Sequence, residues 1–252
     1  MKVICAGMSK CGTKSVNAAL RELGYVVYDF MENYDFYNAE YQRFVSDDWT
    51  VDDFRKMYND VDVVIDGPFY YFWEEALESF PEAKVILMMR DADDIWYESI
   101  SRQIHRNLKH HFYYNYLSST WRRFWRFAFN AGLLPFGVHY TGYNTIEESI
   151  DAGLAMKQCY RRHIAHVVHS CPKDRLLIFN CKEGWKPLCD FLEKPIPRIP
   201  FPVINVKSEL TEVIWKSAVL KRSTKEVYVS VGITIIALCS AAYVLGRFNK
   251  FI

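Results

Sequence analysis

The sequence predicts an α/β fold with a parallel sheet, and three observations carry that reading. Apolar runs of strand length alternate with segments of helical pattern along most of the chain. The first run, "KVICAG", passes through a glycine-containing turn straight into a helical pattern. Half of the 252 residues are apolar and 16% are aromatic, enough for one sizeable domain with its own core.

"KVICAG" reads as a buried strand, and residues 13–23 as a helix with Ala18, Ala19, Leu20 and Leu23 on one face. "YVVYDF" (25–30) is a second strand. Residues 36–45 and 51–59 have helical patterns, joined by the cap-rich "SDDWT". "VDVVID" (61–66) is a third strand, ended by Gly67 and Pro68; "FYYFWEEALESF" (69–80) is a helix. "AKVILMM" (83–89) is a fourth strand closed by Arg90, and a long helix covers 91 to about 112. Residues 146–169 form another helix, "RLLIFN" (175–180) a fifth strand, and "GWKPLCDFL" (184–192) a short helix.

Bulk properties narrow the function. A net charge of +1 gives no long-range attraction to nucleic acid. Seven scattered cysteines without a C-x-x-C pair fit reduced thiols, neither a disulfide framework nor a zinc site. "MKVICAGMSK" lacks the apolar stretch of a signal peptide. Residues 227–246 hold no charged side chain, and twenty helical residues span about 30 Å, the hydrocarbon thickness. Lys221, Arg222 and Lys225 precede this run; Arg247 and Lys250 follow it. The expectation is a single-pass C-terminal anchor with the large domain in the cytosol, on the endoplasmic reticulum or the outer mitochondrial membrane. The chain then divides into a domain at 1–208, a connecting helix at 209–226, the anchor at 227–246 and a tail at 247–252.

The chemistry concentrates in "GMSKCGTKS" (7–15). A strand, a glycine loop and a helix N-terminus make an anion site, because loop and first-turn N–H groups converge on a phosphate. The loop departs from the triphosphate motif G-x-x-x-x-G-K-[ST], since Thr13 stands between Gly12 and Lys14. The insertion turns Lys14 by about 100° around the helix. Lys10, inside the loop, is placed to reach a 5′-phosphate's outer substituent.

"GMSKCGTKS" resembles the 5′-phosphosulfate loop of the sulfotransferases, P-[KR]-[ST]-G-T. Residues 66–99 ("DGPFYYFWEEALESFPEAKVILMMRDADDIWYES"), "RLLIFNCKEGWKPLCDFL" and "FPVIN" (201–205) are similar to a small eukaryotic branch of that family, so the resemblance covers roughly residues 2–207. It implies a three-layer parallel sheet of P-loop NTPase/sulfotransferase type. It also implies 3′-phosphoadenosine 5′-phosphosulfate (PAPS) as co-substrate, with no metal. By this resemblance Lys10 stabilises the bridging oxygen, and the backbone of Cys11, Gly12, Thr13, Lys14 and Ser15 cradles the 5′-phosphate. Asp66 is the general base, with helix capping or a Mg²⁺ ligand as its other readings. Arg90 opens the 3′-phosphate motif, R-x-x-x-x-x-x-x-S. The serine is displaced: position 98 is Glu, so Ser99 takes the role. Lys182 and Trp185 lie beside the nucleotide, with Trp185 either stacking on adenine or anchoring its helix. Cys11 replaces a small hydroxyl residue or glycine, losing a hydroxyl or gaining a reactive thiol.

Three further features are open to a site reading. His163, His166 and His169 read as a solvated helix face, and His110 and His111 as a reserve base. Segment 112–137 mixes Trp121, Phe124, Trp125, Phe127, Phe129 and Phe136 with Arg122, Arg123 and Arg126. It reads as a buried helix pair, an acceptor lid or a membrane-touching surface. With the anchor it implies a small, lipophilic acceptor. Two rivals stand beside sulfuryl transfer: a P-loop kinase with Asp66 on Mg²⁺, and a non-catalytic membrane-bound binding module.

Overall fold

The structure, a computed structural model, describes residues 1–108, 111–133, 152–204 and 217–248. His110, Phe136, residues 146–151, Asn205, residues 209–216 and residues 249–252 lie outside the described residues.

The sheet is parallel, with strands β1 (Val3–Cys5), β2 (Val27–Tyr28), β3 (Val63–Val64), β4 (Lys84–Met88) and β5 (Leu176–Phe179) in the order β2-β3-β1-β4-β5. β1 is central, pairing Val3 with Val63 on one side and with Lys84 on the other. The chain leaves β1 toward β2 and later crosses to β4 on the opposite side. In open α/β sheets such a reversal is where the ligand crevice lies, at the carboxyl ends of the central strands. Helices α1 (Thr13–Glu22), α2 (Phe30–Phe44), α3 (Val51–Met57), α4 (Trp73–Ser79), α5 (Asp93–Leu108), α6 (His111–Leu117), α7 (Ser119–Leu133), α8 (Gly153–Ser170) and α9 (Trp185–Leu192) accompany it, and α10 (Ala218–Phe248) follows. The predicted α/β class and parallel sheet are what the structure shows.

Several boundaries differ from the sequence reading. α2 begins at Phe30, not 36, because Asp29 and Glu32 form a capping box. The Asp29 carboxylate accepts from the Phe30 N–H at 2.6 Å, and Glu32 accepts from the Asp29 N–H at 3.1 Å. The same cap cuts the second strand to two residues. Residues 69–72 form a 3₁₀ turn before α4, and the helix predicted from 91 starts at Asp93.

The core is strongly aromatic. Tyr41, Phe44, Phe54, Tyr58, Phe69 and Trp73 are buried beside Ile4, Val64, Val85 and Leu87. Each fully buried ring contributes roughly 1.5–3 kcal/mol. Gly7 is required where β1 exits, since a Cβ there would lie 2.7 Å from the Met88 nitrogen, oxygen and Cβ.

The chain forms two compact units: Met1–His105 with Arg126–Ser208, and Arg106–Trp125 with Glu209–Ile252. In the second, α10 is one continuous helix. Its segment Ala218–Leu245 contains an 18-residue window of mean hydropathy 2.0, none of that window buried, and is long and apolar enough to cross a membrane.

In α7, Trp121, Phe124, Trp125, Phe127 and Phe129 are buried, while Arg122, Arg123 and Arg126 are exposed. Phe127 packs edge-on against Phe30 and Tyr34. Of the three readings of this segment, burial holds for these residues, and their rings are not available to a lid or a membrane surface.

Candidate active site

Four adjacent strands deliver the predicted residues to one end of the sheet. β3 leads to Asp66, β1 to the loop at 6–12, β4 to Arg90 and β5 to Cys181 and Lys182. The loop enters α1 through Gly12, whose φ of 89° is the left-handed conformation that glycine adopts freely. A Cβ on Gly12 would lie 2.3 Å from Cys181 Sγ. α1 has no side-chain cap and no acidic residue in its first turn, so its leading N–H groups and positive dipole end are left for an anion.

Asp66 is buried and lies at φ 72°, and Lys10 is buried at φ 73°. Only four described non-glycine residues have positive φ, so the loop lysine and the acid both occupy costly backbone conformations, as functional residues often do. The Asp66 carboxylate accepts from Ser9 Oγ, from Thr13 Oγ1 at 2.9 Å and from the Gly67 N–H at 2.9 Å, and pairs with Lys14 Nζ at 3.5 Å. Burial alone would raise its pKa. The Lys14 charge and the Ser9, Gly67 and Thr13 hydrogen bonds outweigh burial, so Asp66 titrates below the usual carboxylate range and is ionised at neutral pH.

Lys14 also pairs with Asp29 at 2.6 Å. Burial would lower its pKa, but the two carboxylates raise it, so Lys14 stays charged. Asp29 itself is pushed up by burial, which exceeds the opposing effect of Lys14. Ser15 Oγ accepts from the Ile204 N–H at 2.9 Å. The lysine and hydroxyl that a triphosphate loop would offer to phosphate and Mg²⁺ are therefore engaged within the protein. The Thr13 and Ser15 hydroxyls are both already bonded within the protein.

The other side of the loop is held by Arg90 and by two residues that sequence reasoning did not single out, Trp96 and Tyr160. Arg90 Nε donates to the Lys10 carbonyl at 2.7 Å, and Trp96 Nε1 donates to the Ser9 carbonyl at 3.0 Å. The Tyr160 hydroxyl accepts from the Arg90 N–H at 3.0 Å, and its ring stacks on Trp96 at 4.5 Å. Arg90 spends one of its five N–H donors here, and the fork remains suited to a phosphate. Ser99 is half-buried on α5, three residues beyond Trp96.

Two expectations are corrected. Cys11 is not a reactive thiol: it is buried, its Sγ lies 3.7 Å from the Tyr160 hydroxyl, and burial pushes its pKa up to about 12. His163 is not on a solvated face. Its Nε2–H donates to the Ala6 carbonyl at 2.6 Å, and its ring meets Tyr70 edge-on. His166 is half-exposed beside Glu74 at 2.7 Å, and His169 is exposed.

Lys182 is exposed and paired with Asp91, the residue after Arg90. The Trp185 indole N–H donates to the Ile199 carbonyl at 2.8 Å, and Phe201 covers its ring at 5.1 Å. This arrangement anchors α9 to the 199–204 segment, whose Ile204 reaches α1. Among the described residues no group of His, Cys, Asp and Glu could hold a metal ion.

The geometry thus combines an uncapped helix, an αL glycine, a flanking arginine and a buried acid. The sulfotransferase domain family matches residues 2–210 of this chain. The chain belongs to that family. This sulfotransferase-family protein is also 29% identical over 224 residues to "Ava biosynthesis cluster protein M" of Aspergillus versicolor, covering 81% of this chain and 80% of the relative.

His163 gives the sulfotransferase domain a pH signature. Burial lowers its pKa below 6.5, the bond to Ala6 opposing this. A depressed folded pKa means full stability above about 6.5, lost as pH falls through the folded value. Thermal midpoints measured at pH 7, 6 and 5 should fall, and the fall should be shallower for His163→Gln. Parallel slopes in the two proteins would refute the assignment.

Proposed function

We propose that this protein is a PAPS-dependent sulfotransferase acting on a hydroxyl or amine of a small, lipophilic acceptor while anchored in a membrane through α10. The observation that carries the reading is the placing of Asp66, the uncapped N-terminus of α1 and Arg90 at the ends of three neighbouring strands. PAPS supplies the activated sulfuryl group, which passes in line to the acceptor oxygen or nitrogen as the sulfur–bridging oxygen bond breaks. Asp66 takes the acceptor's proton. Lys10 offsets the charge that develops on the bridging oxygen, and the N–H groups of residues 12–15 hold the 5′-phosphate. Arg90, with Ser99, holds the 3′-phosphate, and Lys182 lies at the same corner. Adenosine 3′,5′-bisphosphate leaves.

The relative's name places that protein in a biosynthesis cluster, which suits a small-molecule acceptor. The exposed apolar helix supports membrane attachment, with the catalytic unit on the cytosolic side of the endoplasmic reticulum or outer mitochondrial membrane. The bisphosphate released from PAPS is measured with the full chain in detergent, using a panel of phenols, sterols and long-chain alcohols. Release is expected to depend on an acceptor and to persist in EDTA. Turnover of ATP·Mg²⁺ in place of PAPS would replace the reading with a kinase.

A further inference from the structure

In the second unit, α6 and the start of α7 turn against the first turns of α10. Ser230 Oγ donates to the Leu117 carbonyl at 2.9 Å, and the Tyr114 and Thr224 hydroxyls meet at 3.1 Å. The Glu226 carboxylate accepts from Ser118 Oγ at 2.8 Å, from Thr120 Oγ1 at 2.6 Å, from the Thr120 N–H at 2.9 Å and from Ser119 Oγ at 3.3 Å. These bonds fix the walls of a cavity of about 630 Å³.

The lining is graded along α10. Arg222 and Lys225 line it from the charged start of α10, Val229 from the start of the uncharged run, and Arg122 from α7. Three cations thus share the lining with one carboxylate. That carboxylate is occupied by the four hydrogen bonds above and by Arg222 Nε at 3.4 Å. Arg122 donates to the Asn115 and Tyr116 carbonyls through one nitrogen, leaving the rest of its fork. The cavity therefore has an excess of positive charge.

Its surroundings mark the depth of a membrane surface. Tyr113, Tyr116 and Tyr228 are about 70% exposed, and tyrosines collect at membrane–water interfaces. From Val229 onward α10 presents exposed apolar side chains. A ligand here meets guanidinium and ammonium groups at its head and hydrocarbon at its tail.

We propose that this cavity binds one anionic phospholipid, its phosphate between Arg222, Lys225 and Arg122 and its acyl chains along the apolar face that begins at Val229. The inference rests on the membrane-anchored reading above and adds a lipid class to it. A free phosphate would use only the cationic end and would leave the apolar continuation without a role. Bound lipid would fix the depth and tilt of α10 at the headgroup level.

The test uses the full chain in neutral detergent micelles and native mass spectrometry. Dioleoyl phosphatidic acid, dioleoyl phosphatidylcholine and inorganic phosphate are titrated separately. The expected result is one phosphatidic acid per chain, with weaker phosphatidylcholine binding. Arg222→Ala/Lys225→Ala should weaken phosphatidic acid about 30-fold and leave phosphatidylcholine unchanged. Adenosine 3′,5′-bisphosphate affinity in the same variant reports a folded first unit. Equal affinity for the two lipids, or no effect of the variant, overturns the proposal. Phosphate binding as tight as phosphatidic acid also overturns it, in favour of a free-anion site. Flotation with neutral vesicles separates the two levels: a chain that does not float refutes the anchor itself. A chain that floats but shows no lipid preference refutes only the cavity's role.

Discussion

Asp66→Asn is expected to lower kcat by 10²–10⁴, the usual contribution of a positioned general base and about 3–5.5 kcal/mol of barrier. Asparagine is the informative replacement. It tolerates the φ of 72° at this position. Its Oδ1 can still accept from Ser9 and the Gly67 N–H, and its Nδ2 can donate to the Thr13 hydroxyl, so the strand end is kept. What it cannot do is accept the acceptor's proton. Lys14 keeps Asp29 as its partner. Bisphosphate affinity should therefore hold or tighten, since a negative charge beside the anion site has gone. A second signature follows from the depressed Asp66 pKa. The acid limb of kcat/KM set by this group should fall below about 3.9, the ordinary aspartate value, whereas a histidine base would place it near 6.5. Retained turnover in Asp66→Asn would assign the acid a purely structural role.

Gly12→Ala should cost about 2–3 kcal/mol of stability and impair nucleotide binding. The left-handed backbone alone penalises alanine by roughly 1–2 kcal/mol, and the new Cβ would sit 2.3 Å from Cys181 Sγ. Relief can come only from displacing Cys181, whose thiol lies 3.7 Å from the Gly12 carbonyl, or from moving the start of α1. Adding Cys181→Ala removes the steric part and leaves the backbone part, so the double variant should recover a portion of the lost stability. Thermal melts and bisphosphate titrations of both variants check this. No recovery in the double variant would mean that the loop and the β5 corner are not in contact.

Parts of this site were legible because they are local. Lys10, Gly12, Asp66 and Arg90 each follow directly from a strand whose end the sequence marks, and adjacent parallel strands then bring those ends together. The supporting residues carry no local mark. Tyr160 and His163 sit on α8, 70 residues from Arg90 and 157 from Ala6. Only the packing of α8 on the sheet end reveals that one histidine turns inward while His166 and His169 do not. Trp96 and Cys181 reach the loop in the same way, through tertiary packing of α5 and β5. Cys11 reads as reactive from its position near a helix N-terminus, and burial against Tyr160 reverses that. The start of α2 was missed for a different reason: the Asp29–Glu32 capping box lies inside an apolar run that looks like a longer strand.

The central claim is that the loop at 6–15 holds a sulfonucleotide and not a triphosphate. Calorimetric titration of the full chain with adenosine 3′,5′-bisphosphate and with ATP·Mg²⁺ tests it most directly. The account predicts that the bisphosphate binds equally well in EDTA, and that Arg90→Ala weakens it about 10- to 100-fold, as expected for a charged hydrogen-bonding group. Tight ATP·Mg²⁺ binding with no heat from the bisphosphate would contradict it.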